Sequence, residues 1–201
     1  MRAEEVLDLK RIQGLTDATF AVAMTLLILE IKTPVGLSPK QFHEYFYQYL
    51  LSDIVIYLIG FLTLGIFWIG SHYHHNILLK TDRASSWLNI LFLMAICMIP
   101  YCISLIRHYK KDVLSLIFYC AVLIVASSIN LIMITYAWKK KHTREHYTIS
   151  HFNDARIRIF IPIVVYLLNI PLCILLPKVA LWAFFIPFIL HLIPEKYEKS
   201  M

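Results

Sequence analysis

The chain has 201 residues, of which 59% are hydrophobic and 16% charged, with a formal net charge of +6. A soluble domain carries about a quarter charged residues, so this composition and a mean hydropathy of +0.66 exclude an ordinary soluble domain and point to an integral membrane protein. Five glycines, none in a phosphate-cradling loop, argue against nucleotide chemistry, and the positive surplus bears first on orientation in a membrane rather than on nucleic acid.

The opening Met1 to Arg11 is charged and amphipathic, and no small-residue cleavage site follows an apolar core, so no cleaved signal peptide is expected. The first apolar helix is placed at residues 12–33. It is a poor generic anchor, because Asp17 and Glu30 sit near its ends and Thr16, Thr19 and Thr25 lie between or beside them. An ionised carboxylate at membrane depth costs about 2.5–3.5 kcal/mol on insertion scales and normally faces protein or water. Helical spacing puts Leu15, Ala18, Val22, Thr25 and Leu29 on one narrow face, with Asp17 about a quarter turn away. On these residues alone two readings stay open. One is a buried bundle helix whose threonines bond back to the i−4 carbonyl and whose Asp17 pairs with an arginine. The other is a pore-lining helix that presents Val22, Thr25 and Leu29 as stacked rings in an oligomer.

Residues 34–49 read as a linker and an aromatic-rich amphipathic turn (Phe42, Tyr45, Phe46, Tyr47, Tyr49) suited to headgroup depth. Further spans are placed at 51–72, with Asp53 near its start, at 84–106, bent around Pro100, and at 113–138, with Ser127, Ser128 and Asn130 as small or polar contact residues. The stretch from Lys139 to Arg158 reads as one long polar loop running into a fifth span at 157–176, which carries Pro162 and Pro171. A short sixth at 179–193 holds Pro187, and a polar tail from Pro194 follows. The expected fold is all-α, a single six-helix membrane domain over 1–201. With six spans, thirteen Lys and Arg fall on the side of the termini and six on the other, which puts both termini in the cytoplasm of a multi-pass cell-membrane protein. No internal duplication is visible, so a pore-like face that occurs once needs copies from other subunits to enclose anything.

Arg11-x-x-x-Leu15-Thr16-Asp17, Phe20-Ala21, Thr25-Leu26-Leu27 and Glu30-Ile31-Lys32-x-Pro34 together resemble the first-helix signature of the transmembrane protein 175 family, the potassium channels of endolysosomes and their bacterial relatives. Leu15 stands where the family has Phe, and Thr16 where it has Ser. Phe67-Trp68-x-x-x-His72 resembles the family's aromatic–histidine pattern. The resemblance implies a six-helix subunit, a homotetramer, and a central potassium-conducting pore lined by the first helix and constricted by apolar rings rather than by a carbonyl filter. Carried over by position, the lining is Val22, Thr25 and Leu29, with Ala18 and Leu26. Narrow apolar rings gate by dewetting, and threonine hydroxyls can replace a lost water at a cation. Val22 is smaller than the Leu or Ile expected at its ring, which implies a wider constriction.

Asp17 is expected to reach another helix near Trp68 and His72, in a structural network with Arg11 and Thr16, while Arg11 caps the cytoplasmic end. Glu30, near the outer mouth, would concentrate cations as a ring or serve as a plain interfacial charge. His72, His74 and His75 lack a further ligand at zinc spacing and read as interfacial, pH-titratable residues. Lys139 to Lys141 read as an orientation signal that touches anionic lipid. The four cysteines, all in apolar runs, read as small hydrophobes. No catalytic residue, metal or cofactor is expected. The partners are further copies of the chain, the bilayer and monovalent cations, permeant potassium first. The rival readings are a proton-coupled secondary transporter that uses Asp17, and an intramembrane enzyme, for which no nucleophile or metal triad is assembled.

Overall fold

Five long apolar helices carry the architecture of the computed structural model, which describes residues 9–109, 112–144 and 147–191. The expectations that involve Arg2, Lys110, Lys111, Lys196, Lys199, the end of the sixth span and the tail lie outside those residues. Helix α1 runs Leu9–Leu29, α2 Pro39–Tyr45, and a π-helical turn Phe46–Leu50 leads directly into α3, Leu51–Ile77. Then come α4 (Arg83–His108), α5 (Val113–Lys139), α6 (Ile149–Leu175), α7 (Pro177–Ala183) and α8 (Ile186–His191).

The boundaries follow local chemistry. Helix α1 stops at Leu29, four residues before its expected end; Glu30 and Ile31 close a tighter turn on the Leu27 and Ile28 carbonyls, and Pro34 disfavours helix at Thr33 beyond it. Helix α3 runs past His72 to Ile77, so His74 and His75 are helical residues rather than loop. Asp82 and Asp112 cap α4 and α5 by accepting the Ser85 and Ser115 backbone N–H groups at 2.8 and 3.1 Å. Thr148 and His151 close a capping box that starts α6 eight residues early, converting half of the expected polar loop into helix. Pro100, Pro162 and Pro171 lie inside unbroken helices. The sixth apolar stretch is two short helices, broken at Phe184 and Phe185. Its return along α6 still brings His191 within electrostatic reach of Arg158.

Phe20, Phe67 and Phe92 tie α1, α3 and α4 together, with ring centroids 6.1 and 6.0 Å from the Phe92 ring. Gly60 permits that approach, since a Cβ there would lie 2.7 Å from Ile103 Cγ1 and 3.2 Å from Leu27 Cδ2. The core continues through Tyr119, whose hydroxyl donates to Thr63 Oγ1 at 3.0 Å, into α6 and α7, where the Asn169 amide donates to the Ala180 carbonyl at 3.2 Å. A second, smaller cluster of Ile77, Ile134, Tyr147, Phe152 and Ala155 secures the start of α6, and Trp138 stacks on Phe152 at 4.8 Å.

Candidate functional site

Helix α1 packs on α3 and α4 through one stripe, Thr16, Phe20, Ala23 and Leu27, which are its buried residues. This i, i+4, i+7, i+11 series places the opposite stripe outward, and Ala18, Val22, Thr25 and Leu29 are all exposed. Val22 is 57% and Leu29 72% exposed, with Leu26 between the two faces at 47%. Ala18, Thr19, Val22, Ala23 and Leu26 line one side of a groove of about 310 Å3, closed on the other by Cys97 and Pro100 of α4. The Thr25 hydroxyl lies 3.0 Å from the Ala21 carbonyl and 2.9 Å from the Val22 carbonyl. Its proton is therefore occupied by its own helix, and its oxygen lone pairs remain for a partner on the uncovered side.

Two polar layers bracket this face. At one end Trp68 Nε1 donates to Asp17 Oδ1 at 3.0 Å, and the His72 ring lies 5.6 Å from the Trp68 ring. Beside them Thr16, 1% exposed, donates to the Ile12 carbonyl at 2.9 Å and accepts from Asn89 Nδ2 at 3.1 Å. Arg11 is exposed and has no partner among the described residues. His74 and His75 are buried against a pocket of about 10 Å3, room for one water, shared with Thr81, Ser85 and Asn89. Among the described residues no three His, Cys, Asp or Glu come together as a metal site.

At the other end Ser104 Oγ donates to Glu30 Oε2 at 2.6 Å. Arg107 lies between Asp53 Oδ2 at 3.4 Å and Glu30 Oε2 at 3.9 Å. Glu30 thus engages its own chain. Asp17 and Glu30 are thirteen residues apart, about 20 Å along a helix, whereas the hydrocarbon core of a bilayer is about 30 Å thick. A helix that crosses the core therefore carries at least one of the two layers inside it, where charges are held by protein or water rather than lipid.

Asn89, Ser104, Arg107 and Asp53 are not among the sequence-derived site residues. An amide amid apolar residues in α4 marks Asn89, and charges at the ends of two spans mark Asp53 and Arg107, whereas no sequence signal singles out Ser104.

The model of the family described as endosomal/lysosomal potassium channel TMEM175 matches residues 11–100, the stretch that holds α1, α3, Asn89 and both partners of the Asp17–Trp68 bond. Over those residues the chain is similar to the TMEM175 family. A protein named as a potassium channel from Streptomyces collinus is 32% identical over 103 residues, covering 51% of this chain and 49% of the relative. The mouse endosomal/lysosomal proton channel TMEM175 is 27% identical over 133 residues, covering 66% of this chain and 26% of the mouse protein. The matched part thus spans about half of the first relative and a quarter of the second. Among solved structures, a lysosomal potassium-selective channel TMEM175 homolog from Chamaesiphon minutus superposes with a TM-score of 0.75 at 21% identity, over 90% of this chain and 95% of that one. The TMEM175 fold therefore extends over α5 and α6, beyond the matched sequence. The relatives are named ion channels, not enzymes.

Proposed function

We propose that this chain is one subunit of a passive, potassium-preferring cation channel in the cell membrane, assembled as a homotetramer with α1 of each copy at the central axis and both termini cytoplasmic. Val22 and Leu29 form apolar constriction rings, Thr25 supplies hydroxyl oxygens between them, and Ala18 and Leu26 complete the lining. Cations pass without a carbonyl filter, losing part of their water at rings that dewet when narrow.

One observation carries the reading. The stripe Ala18, Val22, Thr25, Leu29 is uncovered in a single chain and lies diametrically opposite the packed stripe of the same helix. A lipid-facing helix would need an apolar band of about 30 Å, and the charges of α1 leave about 20 Å. A water-filled axis accommodates that mismatch. The names of the relatives, potassium channel in one case and proton channel in another, share passive cation conduction.

The test is flux from liposomes that hold the purified chain, with the potential clamped. Passive potassium flux that is indifferent to a proton gradient is expected. Stoichiometric coupling to protons would replace the channel with a transporter that cycles Asp17. A strictly monomeric yet conducting protein would remove the shared axis.

A further inference from the structure

Two loops sixty residues apart in sequence are joined at the end of the bundle that the charge count assigns to the cytoplasm. The Leu79 N–H donates to the His142 carbonyl at 2.8 Å and the Arg144 N–H to the Ile77 carbonyl at 3.0 Å, around an antiparallel bridge between Leu78 and Thr143. Tyr136 adds a side-chain strap, its hydroxyl donating to Asp82 Oδ2 at 2.7 Å. Lys141 takes φ +53°, in the left-handed region, and this turn delivers His142 inward, where it is buried.

The clasp gathers one sign of charge. It places Lys80 and Arg83 of one loop beside Lys139, Lys140, Lys141 and Arg144 of the other, all six exposed. Among the described residues of the two loops the acid, Asp82, is spent internally, on the Ser85 N–H and the Tyr136 hydroxyl. Large exposed apolar side chains flank the two loops along the chain: Leu79 is 65%, Trp87 56% and Ile149 58% exposed. Cations and water-exposed apolar anchors side by side suit a membrane interface, where the anchors enter the acyl boundary and the cations meet phosphates. An acidic soluble partner would leave the anchors without a place.

We infer that the two clasped loops form a composite binding site for the headgroup of an anionic phospholipid, to which both loops contribute. Lys140 is partly pre-positioned over the Tyr136 ring, 5.9 Å from its centroid. The site is independent of conduction, so its fate and that of the channel reading are separable.

The test is native mass spectrometry of the full chain in detergent, titrated with phosphatidylglycerol or phosphatidylcholine. Adducts with phosphatidylglycerol at least tenfold tighter than with phosphatidylcholine are expected, weakening with salt. Lys80→Gln with Arg83→Gln, and separately Lys139→Gln with Lys140→Gln and Lys141→Gln, are each expected to lower that preference severalfold. Lys40→Gln with Lys178→Gln, remote from the clasp, should leave it intact. Thermal midpoints of the variants identify any that fail to fold, and Tyr136→Phe, which loosens the clasp without removing a charge, should weaken the preference by a smaller factor. Equal affinity for the two lipids overturns the inference. Loss confined to the triple-lysine variant also overturns it, by reducing the site to a simple basic run. A preference that emerges only after deletion of residues 1–8, with their Glu4, Glu5 and Asp8, would name the chain's own acidic segment as the occupant and overturn it likewise.

Discussion

Trp68 donates its indole N–H to Asp17 across 3.0 Å, joining α1 to α3 at the depth where α1 would otherwise carry a bare carboxylate. An indole N–H is a donor only, and an ionised carboxylate an acceptor only, so the bond runs one way and needs a donor at 68 and an acceptor at 17. Trp68→Phe keeps the aromatic contact with His72 and removes the donor. Because the pair is partly open, the loss expected is about 1 kcal/mol, below the range for a fully buried charged bond. The checks are the thermal midpoint in detergent and the oligomer profile by size exclusion. Asp17→Asn retains an acceptor oxygen and should cost less. A mutant that assembles normally yet alters proton coupling would favour the transporter reading.

The uncovered stripe of α1 predicts a split between conduction and folding. Val22→Ala and Leu29→Ala remove side chains that touch little within the chain, so stability should change by under about 0.5 kcal/mol while leak through liposomes rises severalfold. Phe20→Ala, on the packed stripe, should cost about 3–5 kcal/mol and reduce the yield of folded protein. Thr25→Val keeps the shape, loses the lone pairs, and should lower potassium permeation. If both apolar truncations leave conductance and selectivity unchanged, the lining assignment fails.

The sequence disclosed what depends on local periodicity. The outward stripe of α1 and the long apolar spans were legible because helical spacing constrains them, and the reach of Asp17 toward Trp68 because a carboxylate in an apolar span needs a protein partner. What was hidden depends on partners far along the chain. Thr16 meets Asn89 seventy-three residues on, and Glu30 meets Ser104 after seventy-four. No spacing rule connects such pairs. The expectation for α6 erred because Asp154 and Arg156 look like loop residues, whereas Phe152 and Ala155 bury the helix's first turns under Trp138 and Tyr147. The early end of α1 was signalled by Pro34, but the apolar run masked it.

Gly60 is the tightest point between α1, α3 and α4. Alanine there gains about 0.5–1 kcal/mol of helix propensity, but its methyl would meet a buried Ile103 at 2.7 Å, at an atom near the backbone that cannot swing away. Overpacking of this kind costs about 1–3 kcal/mol, so Gly60→Ala should be net destabilising. Pairing it with Ile103→Val, which trims the opposing side chain at its Cδ1, should recover part of the loss. Gly65, which has nothing within 4 Å of a built Cβ, is the control, and Gly65→Ala should be neutral or mildly stabilising. Thermal unfolding of the four proteins decides the matter.

Asp82 sets a pH dependence. Partial burial pushes its carboxyl up, but the Ser85 N–H, the Tyr136 hydroxyl and nearby His142 outweigh that and hold it below the usual carboxylate range. A folded value below the unfolded one of about 3.9 means that the ionised form favours the fold. That stability is fully present above pH of about 4–5 and is lost as pH falls through the folded value. Asp82→Asn should therefore lower the thermal midpoint at pH 6, and its gap from the parent should close toward pH 3. A gap that stays constant would show that the cap works without its charge.

Arg107 decides between two accounts of Glu30. Its guanidinium is largely buried between Asp53 and Glu30, so Arg107→Ala would leave acidic groups without that partner at bilayer depth, at a cost of about 3 kcal/mol. Glu30→Gln is more discriminating. The amide can still accept from Ser104, so a purely structural Glu30 predicts a small loss of stability and unchanged conductance at every salt concentration. A ring of Glu30 at the outer mouth would instead raise local cation concentration, and its loss would lower conductance most at low ionic strength. Ser104 approaches Glu30 Oε2 at 2.6 Å and Arg107 shares that oxygen, so the carboxylate is directed toward α4 of its own chain. The structural outcome is therefore the one expected: conductance measured from 10 mM to 1 M potassium should be parallel for parent and variant, while the thermal midpoint falls modestly.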